Sequence, residues 1–200
     1  IINYGIGNIR SLYNSLKKIN VEAEIISDPE LIYSFNKVFL PGVGSYKDAI
    51  EKIRKIGWDR TIKNYSSDKN KGLFGICVGM QILSTFGYEY GKSKGLNIIE
   101  GEVEHMFRSG CKLKLPHIGW NNVEILNENI ITKNLTNEAN FYFVNSYSFK
   151  IVNSEELIAT TTYDIKFPSI VNKQNIFGTQ FHPEKSDKIG LKIIDNFLKL

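Results

Sequence analysis

Residues 72–86 read GLFGICVGMQILSTF. Strand formers in GLFGI give way to helix formers in MQILSTF, and the change falls on Cys77, framed by Gly75 and Gly79. Gly-x-Cys-x-Gly has the spacing of a nucleophile elbow, in which glycines let neighbouring backbone approach a strained central residue. The spacing predicts a strand over 72–76, a tight bend at the cysteine and a helix over 78–86. A small apolar side chain in a core would satisfy the same pattern, because free cysteine is often fully buried and inert. Which reading applies depends on what the rest of the chain brings to Cys77.

Towards the N-terminus the order of strand, glycine loop and helix recurs. Ile1-Ile2 leads through Asn3-Tyr4-Gly5-Ile6-Gly7 into a helix with Ile9, Leu12, Leu16 and Ile19 at helical spacing. A strand-like run over 24–27 precedes an apolar strand over 37–40. Pro41-Gly42-Val43-Gly44-Ser45 then opens a helix bearing Tyr46, Ala49, Ile50, Ile53 and Ile56. This alternation predicts a parallel sheet with helices on both faces and a site at the carboxyl ends of its strands. Beyond Gly95 the texture changes to short strands over 101–107, 141–149, 157–163 and 175–181, separated by polar turns. The chain closes in a helix over 186–200 that buries Ile189, Ile193, Ile194, Phe197 and Leu198. No linker-like stretch divides the halves. The expected fold is α/β, a central, largely parallel sheet flanked by helices with an added β-rich section, in one domain over 1–200.

Composition narrows the function. With 42 % hydrophobic and 23 % charged residues in 200, the chain reads as an ordinary globular protein able to build a sizeable core. Its net charge of +4 comes from lysines spread along the sequence, with no dense basic run, which argues against nucleic acid as a partner. No apolar run approaches the roughly 20 residues that span a bilayer, and no signal peptide is expected. Ile1-Ile2-Asn3 reads as the end of a strand, so a few preceding residues are expected. Cys77 and Cys111 make no disulfide framework, and a thiol that acts must stay reduced, which favours the cytoplasm.

A nucleophilic thiol needs a base, and the chain has three histidines, His105, His117 and His182. Phe181-His182-Pro183-Glu184 closes an apolar strand, where residues two apart point the same way, so Glu184 can face the imidazole of His182. A carboxylate on one ring nitrogen fixes the tautomer while the other nitrogen takes the thiol proton. Cys77, His182 and Glu184 would form that triad. The helix after Cys77 is expected to favour a thiolate through its free N–H groups and dipole. Pro41-Gly42-Val43-Gly44 is a candidate second donor to an oxyanion, though a tight turn before a helix looks the same. His105 and His117 lack metal-ligand spacing, so no metal site is read. Cys111, in a lysine-rich loop, is read as structural.

LPGVGS, GICVGMQ and FGTQFHPEKS, in that order, resemble the class I, or triad, glutamine amidotransferases, and the likeness runs from Ile1 to Leu200. Within that family YGIGNI, PGVG, GMQ, PHIGWN and FYFVNSYSF look most like the branch serving as the glutaminase subunit of imidazole glycerol phosphate synthase, in histidine biosynthesis. The resemblance implies hydrolysis of glutamine to glutamate and ammonia through a thioester on Cys77, with no cofactor. It implies an oxyanion site at Val43, Gly44 and Val78, and substrate contacts at Gly42, Gln81, Glu89, Ser146 and Tyr147. It also implies a heterodimer with a (β/α)8-barrel cyclase that receives the ammonia, with Trp120, Tyr142 and Lys185 at the interface. Two positions depart from the family pattern: Asn145 stands where a His is usual and Asn3 where an Asp is usual. Three other readings stay open: a paralogue feeding amidino-sugar synthesis for bacterial surface glycans, a non-catalytic regulator on the same scaffold, and a cysteine hydrolase or peptidase.

Overall fold

The computed structural model describes residues 1–136 and 139–200. In the first half, helix α1 (Ile9–Lys18) is followed by strand β1 (Lys37–Gly42), helices α2 (Tyr46–Ile56) and α3 (Trp58–Ser67), strand β2 (Gly72–Cys77) and a single turn of helix, α4 (Val78–Gln81). Short strands β3 (Phe86–Gly87), β4 (Ser93–Lys94), β5 (Gly101–His105), β6 (His117–Asn122) and β7 (Glu124–Ile125) follow. The chain then runs through β8 (Asn140–Asn145), β9 (Tyr147–Ile151), β10 (Leu157–Tyr163), β11 (Ile165–Lys173) and β12 (Ile176–Thr179) to helix α5 (Asp187–Leu198).

The main sheet has the order β1-β2-β12-β11-β10-β7. β1, β2 and β12 pair in parallel, and β11, β10 and β7 extend the sheet antiparallel. All six residues of β2 are buried, as a central strand covered on both faces requires, which is why GLFGIC reads as an unbroken apolar run. α2 begins at Ser45, whose Oγ accepts the Asp48 amide at 3.1 Å, and stops at Gly57, a left-handed residue with φ 94°. Its Tyr46, Ala49, Ile50 and Ile53 are buried. α5 seals the parallel half. The Phe197 ring lies 5.1 Å from both Phe39 and Phe74 and 5.8 Å from Phe177, so one side chain ties the last helix to β1, β2 and β12. A four-stranded sheet, β4-β3-β5-β9, and the ribbon β6–β8 complete the β-rich part.

Some expected elements differ. The helix expected over 78–86 ends at Gln81, because the Ile82, Leu83 and Ser84 carbonyls accept from the Leu96, Ile98 and Asn97 amides at 2.8 to 2.9 Å. The strand expected over 24–27 is a single bridge between Ile2 and Ile26. The run 141–149 breaks at Ser146, since β8 pairs with β6 and β9 with β5. The run 101–107 stops at His105, where a 3-10 turn, Met106–Ser109, begins. α3 and β11 have no counterpart in the sequence reading.

Candidate active site

Cys77 ends β2 with φ 53° and ψ −112°, a conformation that L-residues rarely adopt. The turn is forced by contact. A Cβ on Gly79 would stand 1.8 Å from the Leu40 carbonyl oxygen, and one on Gly75 would stand 2.7 Å from the Gly79 oxygen, so neither position accepts a side chain. The elbow is thus pressed against the end of β1, and pairing in register sets Gly42 beside Cys77. Gly44, with φ +82° and open space around it, carries the loop onward. Because α4 is one turn long, the dipole expected to favour a thiolate is small. What remains at the turn are individual amides such as that of Val78.

His182 follows β12, which pairs with β2 on the side away from β1. Its backbone is fixed at both ends: its amide donates to the Tyr142 carbonyl at 2.9 Å, and its carbonyl accepts the Ser186 hydroxyl at 2.7 Å. His182 Nδ1 and Glu184 Oε1 are 2.8 Å apart, with both side chains almost fully buried. Burial works against the imidazolium, but a Cys77 thiolate and the Glu184 carboxylate outweigh it, and the imidazole pKa is pushed up to about 10. Nε2 of the ring is buried and has no partner among the described residues.

These groups open into a cavity of about 500 Å³. Gln81, almost fully buried, donates from Nε2 to the Tyr147 carbonyl at 3.1 Å and to Gln180 Oε1 at 3.0 Å. Gln180 Nε2 in turn lies 3.7 Å from Cys77 Sγ. Glu89 Oε2 accepts the Tyr46 amide at 2.7 Å, and its pKa is raised by burial. Asn145 Nδ2 donates to the same Tyr147 carbonyl at 3.2 Å, leaving its Oδ1 buried and without a partner among the described residues. Among the described residues, no group of three or more His, Cys, Asp or Glu could hold a metal ion.

The arrangement is a thiol on a strained strand-to-helix turn, with a buried histidine–carboxylate pair one strand away. A family model described as glutamine amidotransferase class-I matches residues 1–200. The chain belongs to the class-I glutamine amidotransferases. It is 45 % identical over 204 residues to the imidazole glycerol phosphate synthase subunit HisH of Pelagibacter ubique (strain HTCC1062), a match covering 100 % of this chain and 98 % of that protein. To HisH 2 of Methanococcus maripaludis it is 40 % identical over 199 residues, again covering 100 % and 98 %. A solved glutamine amidotransferase superposes with a TM-score of 0.77 at 18 % identity, covering 99 % of this chain and 96 % of that one, which shows the shared fold.

In this amidotransferase the cavity is lined by Val43, Gly44, Cys77, Val78, Gln81, Glu89, Ser146, Tyr147 and His182, all picked out from sequence. Gly42 lies behind the lining, so close that a Cβ there would meet the Gly79 nitrogen at 2.5 Å. Glu184 sits behind His182. Trp120, Tyr142 and Lys185 are not in the cavity: Trp120 faces Tyr142 across the β6–β8 ribbon, and Lys185, in the turn after His182, places Nζ 5.6 Å from the Tyr142 ring centre. Sequence reasoning missed Tyr90, His105, Pro116, Val144 and Asn145 as lining residues, and Gln180 beside the thiol. The signal for Gln180 was its place two residues before His182, on the same side of an extended chain. His117 is packed between the Tyr163 and Phe143 rings at 4.1 and 5.1 Å, and burial lowers its pKa. Cys111 is buried, with Sγ 3.7 Å from the Tyr163 carbonyl.

Proposed function

We propose that this amidotransferase is the glutaminase subunit of an imidazole glycerol phosphate synthase, working as one domain over 1–200 in the cytoplasm. The observation that carries the reading is the join of the Cys77, His182 and Glu184 constellation with full-length similarity to proteins named as that subunit. Glu184 accepts from His182 Nδ1, so Nε2 is the atom free to take the Cys77 proton. The sulfur then attacks the side-chain amide carbon of glutamine. The developing oxyanion is met by amides at Val43, Gly44 and Val78. His182 returns the proton to the departing nitrogen, ammonia leaves, and a thioester remains. Water, giving its proton to His182, attacks the thioester carbon, and collapse of that second oxyanion returns the proton to sulfur and frees glutamate.

Gln81 and Glu89 hold the α-amino end of the substrate, while backbone at Ser146 and Tyr147, with Gly42 shaping the loop, takes the carboxylate end. Fixing both ends selects glutamine among amides. Ammonia then passes to a (β/α)8-barrel cyclase docked on Trp120, Tyr142 and Lys185, where it is kept from protonation in water. The names of the full-length relatives favour this acceptor over an amidino-sugar pathway, and an intact buried triad disfavours a catalytically inactive scaffold.

The test uses two nitrogen sources. Cys77→Ala should lower glutamine-dependent turnover of the assembled synthase by on the order of 10⁴-fold or more, with ammonium-dependent turnover retained. Glutamate release at the native rate from that variant would reject the nucleophile.

A further inference from the structure

Two carboxamides, Gln81 and Asn145, meet the Tyr147 carbonyl, and Gln81 is linked through a third, Gln180, to the thiol. The Tyr147 carbonyl can only accept, so the Gln81 and Asn145 groups that meet it must be their NH2 ends. Gln81 has a second N–H, and it goes to Gln180 Oε1 at 3.0 Å. With its oxygen so occupied, Gln180 has only its NH2 to offer at the other end, and that end lies 3.7 Å from Cys77 Sγ. Gln180 is fully buried, so water does not compete for the contact. The polarity of the chain is therefore set from Tyr147 and ends as a donor on sulfur.

We infer that Gln180 is a catalytic residue of this amidotransferase, donating an N–H to the Cys77 thiolate, and that Gln81 holds it in that orientation. The inference rests on the reading of Cys77 as nucleophile. When the thiol proton moves to His182 Nε2, negative charge collects on sulfur, and a charge-assisted bond from Gln180 stabilises it before attack. Gln81 is then shared between the substrate's amino end and the thiol, so a group that senses glutamine also sets the orientation of the donor on the nucleophile. Gln180 completes what the one-turn α4 is too short to supply as a dipole.

The experiment is alkylation of Cys77 by iodoacetamide, resolved from Cys111 by peptide mass, as a function of pH in the full chain. Removing a hydrogen bond to a charged group should move the acidic midpoint of the rate up by about one to two pH units in Gln180→Met. In Gln180→Glu the shift should be larger, because a carboxylate replaces the donor. In both, kcat for glutamine should fall by about 10-fold or more while KM changes less. Gln81→Met should mainly raise KM and shift the midpoint by a smaller amount. Variants that melt as the native chain does yet keep its alkylation midpoint would overturn the inference. Should the variants not fold, the Gln180 side-chain NH2 resonances of the native ¹⁵N-labelled chain carry the test. They should move when Cys77 is alkylated, and their failure to move overturns the inference equally. Failure of the underlying reading is distinct: it is retained activity in Cys77→Ala.

Discussion

The imidazole of His182 has a carboxylate on one nitrogen and faces a thiol with the other, and this makes its proton part of the folding balance. Despite burial, its pKa rises from the ordinary 6.5 to about 10, with the Cys77 thiolate the larger attraction, so the proton it holds near neutral pH is the one the thiol has given up. An unfolded thiol keeps that proton up to about pH 8.5, so the native chain holds one more proton than the unfolded chain from there to about pH 10, and the pair's stabilisation is lost across that window. The margin of the native chain over a Cys77→Ala/His182→Gln variant, which lacks the pair, should therefore hold steady between about pH 6.5 and 8 and narrow by up to about 1.4 kcal/mol per pH unit between 8.5 and 10. Urea unfolding at pH 6, 8 and 10 measures this. A margin that does not change between pH 8 and 10 would mean that the native pair does not hold that proton. For activity, Glu184→Ala should cost less than His182→Ala, because the carboxylate orients the ring and does not itself carry the proton.

At the scale of elements the elbow is a contact between two backbones. Gly79→Ala would drive a methyl group into the Leu40 carbonyl, an atom that cannot swing aside, and should cost more than about 3 kcal/mol or abolish folding. Gly44→Ala meets open space and bears only the left-handed backbone cost of about 1–2 kcal/mol, a fall in melting temperature of about 2–8 °C. Comparable melting points for the two would contradict the steric account. The elbow was legible because glycine spacing and the strand-to-helix change are local, and His-Pro-Glu lies within four residues. The helix after it was overestimated because the segment around Leu96 captures its carbonyls, which no local pattern announces. β11 was hidden by Pro168, which argues against a strand; the register shift beside Thr160 accommodates it. α3 buries only Trp58, Thr61, Ile62 and Tyr65 in an otherwise polar stretch. Gln180 escaped notice because its partners Gln81 and Cys77 are 99 and 103 positions away in sequence.

Across the whole molecule, the β6–β8 ribbon links the surface to the site. Trp120 is half exposed beside Ile118, and Tyr142, packed against Trp120, holds the His182 amide through its own carbonyl. A partner seated on this ribbon would press on the strand that positions the base. We expect the isolated chain to release glutamate slowly and to gain on the order of 10²–10³-fold when a barrel cyclase and its nucleotide acceptor are added, the size of one oxyanion donor brought into place at Gly44. Full turnover by the chain alone would refute such gating. Trp120→Ala should weaken the pairing by about 2 kcal/mol, or roughly 30-fold in Kd, measured by titration calorimetry. The parallel pairing of β2 with β12 has a further consequence, in time. The thiol leaves the ribosome long before Gln180 and His182 are made. At roughly 5–20 residues per second the 103 positions between Cys77 and Gln180 take about 5–20 s to synthesise. During that interval the nascent chain carries a cysteine with neither base nor donor, so a chain that stalls or is truncated before β12 carries an idle thiol and consumes no glutamine.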